Sequence, residues 1–242
     1  ADTAVVSGLC DELQAARDRL AARRRTVRAD APQLERAYAL SAKKTPPELG
    51  LAPGTSTTLR AALGDAIQHL NQVSGGGFLV AAADLLGSTS VSNAARGFPE
   101  GFWHAATNPK ARVLSIGGIC EDAMAALLAG LSTYGYHLGA GSSYAAFIAP
   151  LSHIAARLHA IGGQARRAIA PREPYRPMIV VCAHAGLKTG EDGPTHADPQ
   201  ALQVFQDNFP RGTMITLTPW EPAEVWPLLM AALHKRPAVI AP

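Results

Sequence analysis

Residues 178–196 read MIVVCAHAGLKTGEDGPTH. The first six are apolar and mostly β-branched, which predicts a buried strand, and Asp198-Pro199 then opens a helix. Strand, loop and helix in that order form one unit of a parallel α/β sheet, whose chemistry gathers at the carboxyl ends of its strands. His184, Asp192 and His196 share this loop, and such groups suit proton transfer or hydrogen bonding to a polar substrate. Gly190, Gly193 and Pro194 permit tight turns that bring the backbone close to a ligand. On these residues alone, an ordinary polar surface loop is an equal alternative. A metal site is the weaker option, because the three side chains lack a compact helical ligand spacing.

The same alternation extends on both sides. Gly77–Leu86, Ala111–Ile116, Tyr136–Ala140, Met178–Ala183, Met214–Pro219 and Ala238–Ala241 are strand candidates. Helical stretches lie between them at Thr58–Val73, Glu121–Tyr134, Ser143–Ile161, Pro199–Asn208 and Pro222–Lys235. Repeated βα units predict an α/β fold with a mainly parallel sheet flanked by helices on both faces. Asp84, Glu121 and the loop after Cys182 fall at the expected strand ends.

Residues 1–50 have a different texture. Leu13, Leu20, Val27, Leu34 and Tyr38 recur at roughly helical spacing, which predicts amphipathic helices. Arg23, Arg24, Arg25 and Arg28 form a basic run. The segment as a whole carries nine Lys/Arg against seven Asp/Glu, so a solvated helix face accounts for it better than a nucleic-acid contact. Thr45-Pro46-Pro47 and Leu51-Ala52-Pro53-Gly54 break any helix. The expected organisation is a helical linker over 1–54 and an α/β domain over 55–242.

Composition narrows the class. Hydrophobic residues make up 48 % and charged residues 17 % of the 242, which fits a chain with a buried core and excludes a disordered tail. No stretch approaches the about 20 apolar residues of a membrane span, and a net charge of +3 is too small to imply nucleic acid. Cys10, Cys120 and Cys182 form no CxxC pair and no even framework, so a reduced, cytoplasmic setting is expected. The chain starts at Ala1 without Met and stops just after the strand-like PAVIA. Both features predict part of a longer polypeptide or one subunit of a split one.

The loop Gly190–His196, GEDGPTH, resembles the signature loop of transketolases. Ala83-Asp84-Leu85 followed by Ser88 is similar to that family's SADL…S segment, and Gly117–Met124, GGICEDAM, to its GxRExxM strand-to-helix turn. Gly130 and Gly135 fall where the following helix usually carries glycine. The resemblance covers about residues 55–242 and implies the pyrimidine-binding (central) domain of the thiamine diphosphate-binding fold, with 1–54 as the interdomain linker. By this resemblance Glu121 hydrogen-bonds N1' of the cofactor's aminopyrimidine and so drives the proton relay that activates the thiazolium C2. Tyr144 and Phe147, read as three apart at a helix start, pack around the pyrimidine, while Asp84 lies near the thiazolium. His184 and His196 bind the ketose oxygens and move protons, Asp192 reads a hydroxyl, and Arg60 and Ser88 bind a sugar phosphate.

Departures shape the expectation further. Pro242 stands where an Arg usually completes the phosphate site, Cys120 replaces the Arg before the glutamate, and Ala185-Gly186 and Ala197 replace polar loop residues. Pro150 takes the place of another pocket aromatic and predicts a kink. These changes predict an altered substrate with the proton relay kept. No GDG triplet occurs, so the diphosphate and its Mg²⁺ are expected on another chain or segment, in a homodimer or heterotetramer. The implied activity is transfer of a two-carbon ketol unit between sugars. The alternatives are 1-deoxyxylulose 5-phosphate synthase, a pyruvate dehydrogenase beta-type subunit, or a non-catalytic scaffold subunit.

Overall fold

Phe78–Ala82 contains no polar side chain, and all five residues are buried as strand β1. The computed structural model describes residues 2–23, 26–154, 161–169, 174–183, 195, 198, 201–204, 209 and 212–242. It divides into two units, Ala1–Ala31 and Pro32–Pro242. The first is helix α1 (Thr3–Ala22), capped where Ala4 N–H donates to Asp2 Oδ1 at 2.9 Å. No residue of α1 is buried, so its apolar positions Val5, Leu9, Leu13 and Leu20 are exposed. Arg24 and Arg25 of the basic run lie outside the described residues, while Arg28 makes a two-point contact with Asp30.

The second unit is a parallel sheet in the order β1-β2-β3-β5-β4, comprising β1, β2 (Leu138–Tyr144), β3 (Met178–Ala183), β4 (Met214–Thr216) and β5 (Val239–Ala241). Alternate strand residues feed two apolar layers, as the period of two requires. Phe78, Val80, Leu138, Ala140, Ile179 and Ile240 face α3 (Leu59–Val73) and α7 (Val225–Lys235). Leu79, Ala81, Met178, Val180 and Val239 face α4 (Glu121–Tyr134) and α5 (Ala149–Ile154). The winding explains the split. Strands β1, β2 and β3 advance one way through α4, α5 and α6 (Ile161–Ile169), whereas β4 returns to β5 through α7. Right-handed crossovers in opposite directions place their helices on opposite faces.

Residues 32–49 are part of this unit, with Leu34, Tyr38, Leu40, Ala42 and Leu49 packed against its core. Around α2 (Leu34–Tyr38), Gln33 N–H donates to Ser74 O at 2.8 Å, Trp226 Nε1–H to Ser41 O at 3.1 Å, and Arg236 to Glu35 at 2.6 Å. Asn71, fully buried in α3, donates to Phe78 O and Ala94 O and accepts from Phe78 N–H. It therefore ties α3, the start of β1 and the 3-10 turn at Val91–Ala95 together.

Several expected elements differ. The helical periodicity of 1–50 resolves into α1 and the five-residue α2, with Val27 exposed between them. Ala111–Ile116 forms only isolated bridges at Val113, to Val80 on one side and to Phe102 on the other, before Gly117 turns the chain at φ +80. Strand β2 extends through Gly139-Ala-Gly-Ser-Ser, and burial between β1 and β3 overrides the weak strand preference of those residues. Of the helix expected over Ser143–Ile161, residues 143–154 are instead the end of β2, a 3-10 turn at Ala145–Phe147, and α5, while 155–160 lie outside the described residues. Pro150 sits in the first turn of α5, where a missing N–H is harmless, and imposes no kink. Of Pro199–Asn208, Ala201–Val204 is a 3-10 turn and the rest lies outside the described residues.

Candidate functional site

Helix α4 runs back along β2, so its first residue, Glu121, reaches the carboxyl end of that strand. Cys120 precedes it in an extended conformation, and Glu121 and Asp122 put two carboxyl groups in the first turn of the helix. The close approach of α4 depends on glycine. A Cβ at Gly139 would collide with Leu128 O and stand 2.7 Å from Leu128 Cβ; one at Gly141 would lie 2.7 Å from Leu128 Cδ1. Ser143 continues the same row, and its hydroxyl donates to Glu121 Oε1 at 3.2 Å. Glu121 is half-buried, and Ser143 is only 1 % exposed.

On the other face of the strand end, the Ser142 and Thr89 hydroxyls are 2.7 Å apart, and Thr89 also donates to Leu85 O at 2.7 Å. Those bonds hold the turn that leaves β1, which carries Asp84 and Ser88, both exposed. Arg60, also exposed, lies in the first turn of α3, whose cap is Thr58 accepting from Ala61 N–H at 3.2 Å. Because α3 precedes β1 and runs back along the sheet, this turn too lies at the carboxyl edge. Phe147 leaves the end of β2 on the 3-10 turn and is 41 % exposed. Tyr144 is the last residue of β2 and is 3 % exposed, so the two rings belong to different elements and not to one helix start.

The chain leaves β3 at the same edge, where Ala183 is in register with Tyr144. His184, Asp192 and His196 follow and lie outside the described residues. Cys182, in register with Ser143, is a thiol at neutral pH: burial, and secondarily Asp198, push its pKa up to about 12. Among the described residues no cluster of three His, Cys, Asp or Glu side chains could hold a metal ion, and no helix is long and apolar enough to cross a membrane.

The structure thus gathers Glu121, Asp84, Ser88, Arg60 and Phe147 along one edge of the sheet. It adds three residues not anticipated from sequence: Ser143, Ser142 and Thr89. A signal for Ser143 was present, since glycines at 139 and 141 mark a strand face closely approached by another element, and Ser143 is next on that face.

The family profile described as "Transketolase, pyrimidine binding domain" matches residues 55–241. No curated protein matches the chain. Among solved structures, the transketolase from Campylobacter jejuni is similar at a TM-score of 0.62 and 21 % identity, covering 86 % of this chain and 28 % of that one. The Pichia stipitis transketolase complexed with sedoheptulose 7-phosphate has a TM-score of 0.61 at 19 % identity, covering 79 % and 26 % respectively. For the Leishmania mexicana transketolase the values are 0.57, 20 %, 80 % and 28 %. The chain therefore spans under a third of the length of these relatives. Its all-parallel α/β sheet is their fold, and by the match over 55–241 the chain belongs to the transketolase pyrimidine-binding domain family.

Proposed function

We propose that this chain is the pyrimidine-binding part of a transketolase-like enzyme of carbohydrate metabolism that transfers a two-carbon ketol unit between sugars. Residues 55–242 form its half of the active site, and residues 1–54 a helical linker. Thiamine diphosphate, when bound, supplies the nucleophilic carbon that takes up the ketol unit. The residues present fit that group. Glu121 is half-buried, with one carboxyl oxygen engaged by Ser143 and the other available to hold a proton at N1' of an aminopyrimidine. Phe147 offers an exposed ring for stacking, which adds about 0.5–1.5 kcal/mol beyond burial. Tyr144 backs that wall from the strand end, and Asp84 supplies negative charge for the thiazolium.

His184 and His196 bind the ketose oxygens and transfer protons, while Asp192 reads a hydroxyl. Arg60, with its planar donor fork, and Ser88 bind a sugar phosphate. The diphosphate and Mg²⁺ belong to a second domain, on another chain or segment, in a cytoplasmic homodimer or heterotetramer. The observation that carries this proposal is the placement of Glu121 against the end of β2, on the edge that also bears Asp84, Ser88 and Phe147.

Calorimetric titration with thiamine diphosphate and Mg²⁺ tests it. The chain alone should bind weakly, and binding together with ketol transfer should appear when a transketolase diphosphate-binding domain is added. Tight binding by the chain alone would contradict the shared site. Failure of the mixture to bind would contradict the family role.

A further inference from the structure

We propose that Ser143 is a positioning residue that fixes which oxygen of Glu121 faces the ligand. This inference rests on Glu121 serving as the proton-relay carboxyl. Residues 139, 141 and 143 of β2 share the face turned to α4. Glycine at the first two lets the helix descend onto the strand, and the short serine at the third then meets Glu121 at 3.2 Å. At 1 % exposure Ser143 is shielded from bulk water, and Glu121 Oε1 accepts a hydrogen bond from its hydroxyl.

A carboxyl group acts as donor through one oxygen only. With Oε1 occupied as an acceptor, a proton held by Glu121 resides on Oε2, the oxygen left for a ring nitrogen. Ser143 therefore selects the donor atom and its direction, without touching the ligand. The strand end that carries it is itself anchored, because Ser142 next to it is fully buried and paired with Thr89 across the opposite face. Threonine at 143 would retain the hydroxyl and suit a strand, whereas alanine removes the donor.

The test compares wild type, Ser143→Ala and Ser143→Thr. In the full chain without ligand, carbon-13 NMR of the Glu121 side chain should report one rotamer in wild type and Ser143→Thr, and rotamer averaging in Ser143→Ala. In the complex with a diphosphate-binding domain, thiamine diphosphate and Mg²⁺, deuterium exchange at the cofactor's C2 should slow about ten- to a hundredfold in Ser143→Ala. The kcat should fall with it, the sugar KM should stay within twofold, and Ser143→Thr should recover most of the exchange rate. Wild-type exchange in Ser143→Ala, or no recovery in Ser143→Thr, would overturn the proposal. If even wild type takes up no thiamine diphosphate, the cofactor role of Glu121 fails. The NMR comparison then decides on its own whether Ser143 fixes the carboxyl, and averaging in all three proteins, or in none, overturns that.

Discussion

Replacing Gly139 with alanine places a methyl group where α4 lies closest to β2. Its carbon would stand 2.7 Å from Leu128 Cβ and 2.8 Å from the Leu128 carbonyl carbon, about 1 Å inside ordinary carbon–carbon contact. Neither side can yield cheaply. Leu128 is fully buried in the layer formed with Met124, Ala125 and Leu151, and Gly139 N–H donates to Ser132 Oγ at 2.9 Å, tying the strand to the same helix. The helix has to retreat, and overpacking of this kind costs about 1–3 kcal/mol. At Gly141 the added carbon would crowd the terminal Leu128 Cδ1 and touch Met124 Cε at 3.4 Å, both far ends of flexible side chains, so the loss should be smaller. Gly130, within α4, has nothing within 4 Å of an added Cβ, so Gly130→Ala should raise stability by about 0.5–1 kcal/mol. Urea unfolding reads all three. With a slope of about 2 kcal/mol/M, a loss of 2 kcal/mol lowers the midpoint by about 1 M. The expected order of midpoints is Gly130→Ala, wild type, Gly141→Ala, Gly139→Ala. A Gly139→Ala midpoint at or above that of Gly141→Ala would refute the close-approach argument.

Asn71→Ala leaves Phe78 N–H, Phe78 O and Ala94 O without their buried partner. At about 1 kcal/mol or more for each lost bond it should cost at least about 3 kcal/mol in urea unfolding. Burial, aided by Arg112, lowers the His137 pKa from 6.5 to about 4, so the unfolded chain binds that proton more readily. The stability it contributes is present above pH 6.5 and lost as pH falls to about 4. His137→Gln should flatten that part of the stability–pH curve, and an unchanged slope would speak against the assignment. Tyr38 behaves in the opposite sense: burial pushes its pKa from 10.0 up to about 12, against the opposing pull of Arg236. Stability should therefore fall as pH rises from 10 towards 12, and Tyr38→Phe should remove that loss.

The parallel α/β plan was legible because buried runs such as MIVVCA and FLVAA alternate with helical periodicity, and each run meets its own preference. The second half of β2 was not. Glycine and serine carry little strand preference, and only the neighbours on both sides of the sheet make that segment a strand. The same blindness moved Tyr144 into an expected helix, since Tyr144, Phe147, Leu151 and Ile154 do have helical spacing. At the site, Glu121 was legible because the GGICED turn puts a carboxylate at a helix start. Ser143 was not, because the glycines at 139 and 141 point to it only once the segment is known to be a strand, and its partner lies 22 positions away in sequence. The apolar stripe of α1 was readable as amphipathic, yet periodicity says nothing about what, if anything, covers it.

The claim on which the functional account turns is that Glu121 is the group through which this domain activates its cofactor. The direct measurement is deuterium exchange at C2 of thiamine diphosphate in the complex with a diphosphate-binding domain, comparing wild type with Glu121→Ala and Glu121→Gln. A general acid–base role predicts slowing by about 10²–10⁴-fold in both variants, with the chain still folded by circular dichroism. Exchange at the wild-type rate in a folded Glu121→Ala complex would contradict it.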